Sequence, residues 1–108
     1  MLAEIFKIYT KYGVLFNNDE ISSAVLPIHI CKYVIDIFSK TNILILGGDI
    51  FVFNEQDILI PTYDNWSYEG VDVKQSAEKA KSFLLYFEGK DFYIDFVVDM
   101  VKLREHHT

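Results

Sequence analysis

Cysteine is almost missing from this chain: Cys31 is the only one. A lone thiol closes no disulfide within the chain, which points to a reducing compartment. There are only two prolines and five glycines, so no flexible or Pro-rich linker divides the sequence. Basic residues are scarce: ten Lys and Arg face sixteen Asp and Glu, for a net charge of -6. A duplex or RNA binder normally carries a basic face, as does a protein that adheres to an anionic bilayer, so neither nucleic acid nor membrane is expected as a direct ligand. The longest near-apolar run, from Ile43 to Phe53, is far shorter than the roughly 20 residues needed to span a bilayer. The opening segment carries Glu4 and polar residues every few positions, unlike a signal peptide. The expected location is the cytoplasm.

What remains is rich in core-forming material. The 108 residues are 51% hydrophobic, with nine Phe and seven Tyr. That composition excludes disorder, and the length suits a single domain over residues 1–108 with one core.

Residues 2 to 12 place Leu2, Ile5, Phe6, Ile8, Tyr9 and Tyr12 at helical spacing before Gly13. Val14 to Phe16 could pair in a sheet or lead into the turn expected at Asn17-Asn18-Asp19. Pro27 opens a second helix, Ile28 to Lys40, after a brief extended piece at Ala24 to Leu26. Ile43 to Leu46 reads as a strand buried on both faces. Gly47-Gly48-Asp49 interrupts it, with a bulge or a close backbone approach as the expected use of the glycines. Ile50 to Phe53 and Ile58 to Ile60 form a hairpin around Asn54 to Asp57, and Pro61 closes the second strand or marks an edge. Residues 62 to 70 are expected to be a polar and aromatic loop. Asp72 and Gln75 resemble a capping box for a third helix that ends by Gly89. Phe92, Ile94, Phe96 and Val98 alternate as a half-buried strand, followed by a frayed or helical tail. The expected class is α+β: a small antiparallel or mixed sheet with about three helices, packed mainly on one face.

Little points to catalysis. His29 sits in the first turn of a helix, not in a loop that could position it as a base. Cys31 lies on the apolar stripe of the same helix, where a buried, inert thiol is expected. His106 and His107 lie in the tail, and no four-ligand zinc spacing is present. Neither a metal nor a cofactor is expected. Asp49, Asp64 and Glu69 could converge as a carboxylate set, but acidic surface residues are ordinarily just solvated. Trp66 admits two readings: a core plug, or a binding anchor together with its neighbouring tyrosines.

Four segments occur in a fixed order: Ala24-Val25-Leu26-Pro27, Ile45-Leu46-Gly47-Gly48-Asp49-Ile50-Phe51, Tyr63-Asp64-Asn65-Trp66, and Ser76 in a helix before an aromatic strand. Together they resemble the bacterial polymorphic-toxin immunity proteins, and among them the immunity protein 40 family. The resemblance spans about residues 20 to 98. Two departures stand out: Ile50-Phe51 in place of Val-Tyr, and Ser67-Tyr68 after the tryptophan. The resemblance implies a protein that binds and neutralises the toxic C-terminal domain of a cognate contact-dependent or polymorphic toxin. The expected toxin is a basic nuclease whose active site is occluded, and the expected state of the free chain is a monomer or weak dimer. Partner-binding candidates are Asp49, Asp64, Trp66, Tyr68 and Glu69. Gly47, Gly48 and Trp66 could instead be shared because they hold the fold. Two rivals remain: a small hydrolase built on Asp49 and Glu69, which requires a concave carboxylate pocket, and a homo-oligomeric structural module.

Overall fold

A computed structural model describes residues 2–17 and 22–99. The chain runs α1 (Leu2–Tyr12), β1 (Val14–Asn17), β2 (Ser22–Pro27), α2 (Ile28–Lys40), β3 (Ile45–Phe53), β4 (Leu59–Ser67), α3 (Val73–Leu84) and β5 (Phe92–Val98), with a single 3-10 turn, Leu85–Phe87, after α3. The five strands form one sheet in the order β1-β2-β5-β3-β4. Every neighbouring pair is antiparallel. The fold is α+β, with three helices on a five-stranded antiparallel sheet.

The helix ends follow from local chemistry. Proline at 27 has extended geometry, φ -64 and ψ 147, and it needs no amide partner where a helix leaves its first N–H groups unpaired. At the other end of α2, Asn42 takes a left-handed φ of 60. That lets Ile43 N–H reach Phe38 C=O at 2.8 Å and Asn42 N–H reach Ser39 C=O at 3.1 Å. This is the Schellman pattern, which satisfies the last carbonyls and turns the chain toward β3.

The core lies between the helices and one face of the sheet. Ile5 and Ile8 of α1, Cys31, Val34, Ile35 and Phe38 of α2, and Ala77, Ala80 and Leu84 of α3 meet Leu26, Ile45, Ile50, Ile94 and Phe96 of the strands. A smaller cluster of Val25, Phe51 and Leu59, with Val14 and Tyr93 against it, sits at the alternate strand positions and so on the opposite face.

The β3–β4–α3 junction is built around Trp66. Gly48 pairs with Trp66 across the ladder. A Cβ at Gly48 would fall 2.5 Å from the indole and 2.9 Å from the Asp95 carbonyl, so only glycine leaves the ring room to lie on the strand. The ring then tilts against Phe83 at 4.9 Å and meets Phe96 edge-on at 6.2 Å. Gly47 has φ +155 and lies against the Trp66 backbone, beside the point where β3 slips register against β5. Ser76, fully buried, donates its hydroxyl to Val73 C=O at 2.8 Å and accepts from Ile45 N–H at 3.2 Å. That single oxygen ties α3 to the start of β3.

Two elements differ from expectation, and a third resolves an open choice. Gly47-Gly48-Asp49 does not break the strand: β3 runs unbroken from Ile45 to Phe53, because the bulge absorbs the glycines within the ladder. The segment expected to be a loop from residue 62 is strand as far as Ser67. Pro61 does not stop it, since β4 is the last strand of the sheet and an edge tolerates a missing N–H. Val14–Asn17, which could pair or lead into a turn, pairs antiparallel with Ser22–Pro27, with Val14 opposite Val25; Asn18 and Asp19 of the expected turn lie outside the described residues. The tail expected to be frayed or helical lies, from residue 100 onward, outside the described residues.

The junction makes two predictions for denaturation in urea or by heat. Ser76→Ala leaves the buried Ile45 N–H without a partner and should cost about 1–3 kcal/mol. Gly48→Ala forces the indole or the strand to shift and should cost a similar, overpacking-sized 1–3 kcal/mol or so, whereas alanine at exposed Ser82 should be close to neutral.

Candidate partner-binding surface

The charge on this molecule is unevenly placed. From Thr41 to Val73 there are six carboxylates, Asp49, Glu55, Asp57, Asp64, Glu69 and Asp72, and no Lys, Arg or His. The other ten acids of the chain are matched by its ten bases, so the whole net charge of -6 resides in this stretch. Structurally the stretch is the β3–β4 hairpin and the loop into α3. No strand carries a Lys, Arg or His, and the described lysines lie on or just beyond the helices. The ion pairs Lys32–Glu88 and Lys81–Asp36 likewise fall outside the hairpin.

Exposed apolar side chains accompany those carboxylates. Leu46, Phe53, Ile58, Ile60, Tyr63 and Val71 are all solvent-accessible. Tyr63 stands out at 83% exposed. It occupies a wide bulge: Asn65 pairs with Asp49 and Pro61 with Phe51, so Thr62, Tyr63 and Asp64 together face Ile50 alone. Tyr63 has φ 71, which strains a residue of its size. Side chains on either side hold the bulge. Thr62 Oγ1 donates to Ile50 C=O at 3.1 Å and accepts from Asp64 N–H at 3.1 Å, and Asn65 Nδ2 donates to Tyr63 C=O at 3.2 Å.

The residues singled out from the sequence fall into three settings. Asp49 and Asp64 are exposed near the bulge. Across the sheet Asp49 lies in register with Asn65 on one side and Asp95 on the other. Glu69 is exposed in the loop beyond the end of β4 at Ser67. Tyr68 is half-buried and serves the loop. Its ring covers Gly70, and its hydroxyl accepts from Asp72 N–H at 3.3 Å and donates to Gln75 Oε1 at 3.1 Å. Asp72 caps α3 by accepting from Gln75 N–H at 3.0 Å. The return half of a capping box thus passes through the Tyr68 hydroxyl rather than directly from Gln75. Trp66, expected as a possible contact, is turned inward and 7% exposed. Its Nε1–H is buried without a hydrogen-bond partner, so aromatic packing alone fixes the ring.

The geometry offers no catalytic constellation among the described residues. A cavity of about 370 Å³ lies between α1 and the sheet, lined by Ile5, Phe6, Tyr9, Ala24, Phe38, Phe96 and Val98. It is apolar, and neither Asp49 nor Glu69 lines it. No group of three or more His, Cys, Asp or Glu among the described residues is placed to hold a metal. His29 is exposed and meets the Tyr12 ring edge-on at 6.0 Å. Cys31 is buried, its thiol directed at Pro27 C=O at 3.2 Å, and burial pushes its pKa up to about 12. No helix among the described residues is long and apolar enough to cross a membrane.

The family profile of immunity protein 40 matches residues 15–98. The chain belongs to the immunity protein 40 family. No curated protein and no solved structure matches it. Seen on the structure, the segments by which it resembles that family are mostly interior. Gly47, Gly48, Trp66 and Ser76 build the junction that carries the hairpin, while Asp49, Tyr63, Asp64 and Asn65 lie on its surface. Of the two readings of Trp66, the core plug is the one the structure shows, while Tyr63 of the same segment is exposed. The sequence signal that sets this region apart is the lack of any Lys, Arg or His between Lys40 and Lys74.

Two predictions follow from these settings. Tyr68→Phe removes the hydroxyl relay at the start of α3 and should lower stability by about 0.5–1.5 kcal/mol in urea titration. Cys31 should resist a thiol reagent at pH 8 in the native protein and react at once in denaturant. Because its folded pKa lies above the ordinary value of 9.0, its contribution to stability is complete below pH 9 and declines as pH rises from there toward 12.

Proposed function

We propose that this chain is an immunity protein that binds the toxic C-terminal domain of a cognate contact-dependent or polymorphic toxin and blocks its active site. The observation that carries the reading, beyond family membership, is the concentration of the full net charge in a hairpin that contains no base. A nuclease must hold a phosphate backbone and so presents a cationic cleft. A surface of carboxylates and exposed apolar side chains complements such a cleft in charge, speeds encounter, and competes with the nucleic acid for the same ground. The toxin is accordingly a basic nuclease, and inhibition is by occlusion rather than by chemistry on the toxin. Asp49, Asp64 and Glu69 are the contact carboxylates, with Tyr68 and Trp66 supporting the loop and strand that present them. The protein acts in the cytoplasm as one domain, and the free chain is a monomer or weak dimer.

The test is co-expression with the toxic C-terminal domain of a cognate toxin, sought first in the neighbouring gene. Cells carrying both should survive, and a complex should elute with a tagged copy of this chain. Death of the cells in the presence of a well-expressed chain would remove the pairing. Raising salt from 50 to 500 mM should slow association much more than it speeds dissociation, because the steering charges are exposed and screened over about 10 Å at 0.1 M. An association rate indifferent to salt would contradict the electrostatic part of the mechanism.

A further inference from the structure

We infer that the toxin docks on the open edge of the sheet, along β4, with the Tyr63 ring as its anchor. This deepens the reading above and rests on it. Three observations converge. First, β4 ends the strand order, so among the described residues its outer edge has no strand partner, and such an edge is open to a second protein. Second, this edge displays Ile58, Ile60 and Tyr63. The Tyr63 ring projects from a bulge whose backbone is fixed by Thr62 and Asn65, so its point of attachment is set before binding, and a pre-ordered backbone loses less entropy on contact. Third, Asp49, Asp64 and the other acids of residues 41–73 have no base among them in the sequence. Lys79 of α3 reaches the end of β4, where it donates to Ser67 C=O at 2.6 Å, and the helices carry both signs, with Lys32 and Lys81 paired to Glu88 and Asp36.

The occupant is therefore a protein surface of defined chemistry: an apolar socket for a phenol ring, rimmed by Lys or Arg. A site that cradles a base between phosphates has that form, since bases stack in apolar or aromatic pockets flanked by cations. On this view Tyr63 takes the place of a base, and the flanking carboxylates take the places of phosphates. Phe6 and the apolar cavity beneath α1 lie among Lys7 and Lys11 and do not fit a basic partner.

The experiment measures affinity for the cognate toxic domain, made catalytically inactive, by calorimetry. Tyr63→Asn is the informative variant. Asparagine accepts the left-handed backbone of position 63, so the bulge is kept and only the ring is removed. The expected result is a loss of roughly thirtyfold or more in affinity, the drop typical of a hot-spot tyrosine, with a melting temperature that is unchanged or raised. Tyr86→Ala removes an equally bare tyrosine, 78% exposed beyond α3, and should bind like the wild type. If Tyr63→Asn binds as tightly as the wild type, the docking face is elsewhere and the inference is overturned while the immunity reading stands. If the wild type neither binds nor protects cells, the immunity pairing itself fails and the docking face fails with it.

Discussion

The rest of this molecule depends on the contact of the Trp66 indole with the Gly48 backbone. An indole can lie flat on a strand only where the strand has no Cβ in the way, and at Gly48 the space is filled by the ring to within 2.5 Å of where a Cβ would stand. With the ring there, Phe83 and Phe96 close over it, which brings α3 down onto β3 and β4. Ser76 then fastens the same helix to the first residue of β3 through one buried hydroxyl. The hairpin is thus clamped on its inner face. Its outer edge is left to carry exposed carboxylates and aromatic side chains, an arrangement with low intrinsic stability that the interior offsets.

The segments that resemble the family span both layers of this junction: Gly47, Gly48, Trp66 and Ser76 lie inside it, while Asp49, Tyr63 and Asp64 of the same segments lie on its surface. Gly47, Gly48, Trp66 and Ser76 are constrained by packing and by a hydrogen bond that water cannot replace. Asp49, Tyr63, Asp64 and Glu69 are exposed, and charge on an edge strand discourages edge-to-edge aggregation.

Much of this was legible in the sequence. The bounds of α1, α2 and β5 follow from apolar spacing, Gly13, Pro27 and the alternation of Phe92 to Val98. The bulge at Gly47 and the close approach at Gly48 follow from a glycine pair inside an apolar run. What the sequence hid was settled by tertiary packing. The length of β4 was obscured because Pro61 and the polar residues after it resemble a loop, and only the position at the sheet edge makes a strand of them. The β1–β2 hairpin was obscured because short segments take their strand character from the partner they find. The direction of Trp66 was open because a tryptophan among tyrosines reads equally as an anchor or a plug, and Gly48, eighteen positions away, decides it.

The most direct test of the account is amide hydrogen exchange on this chain, alone and in complex with the toxic domain. The account predicts new protection concentrated on peptides covering residues 58 to 70, with α1 and α2 exchanging as they do in the free protein. Protection confined to α1 or α2, with residues 58 to 70 unchanged, would contradict it and place the binding surface on the helical side.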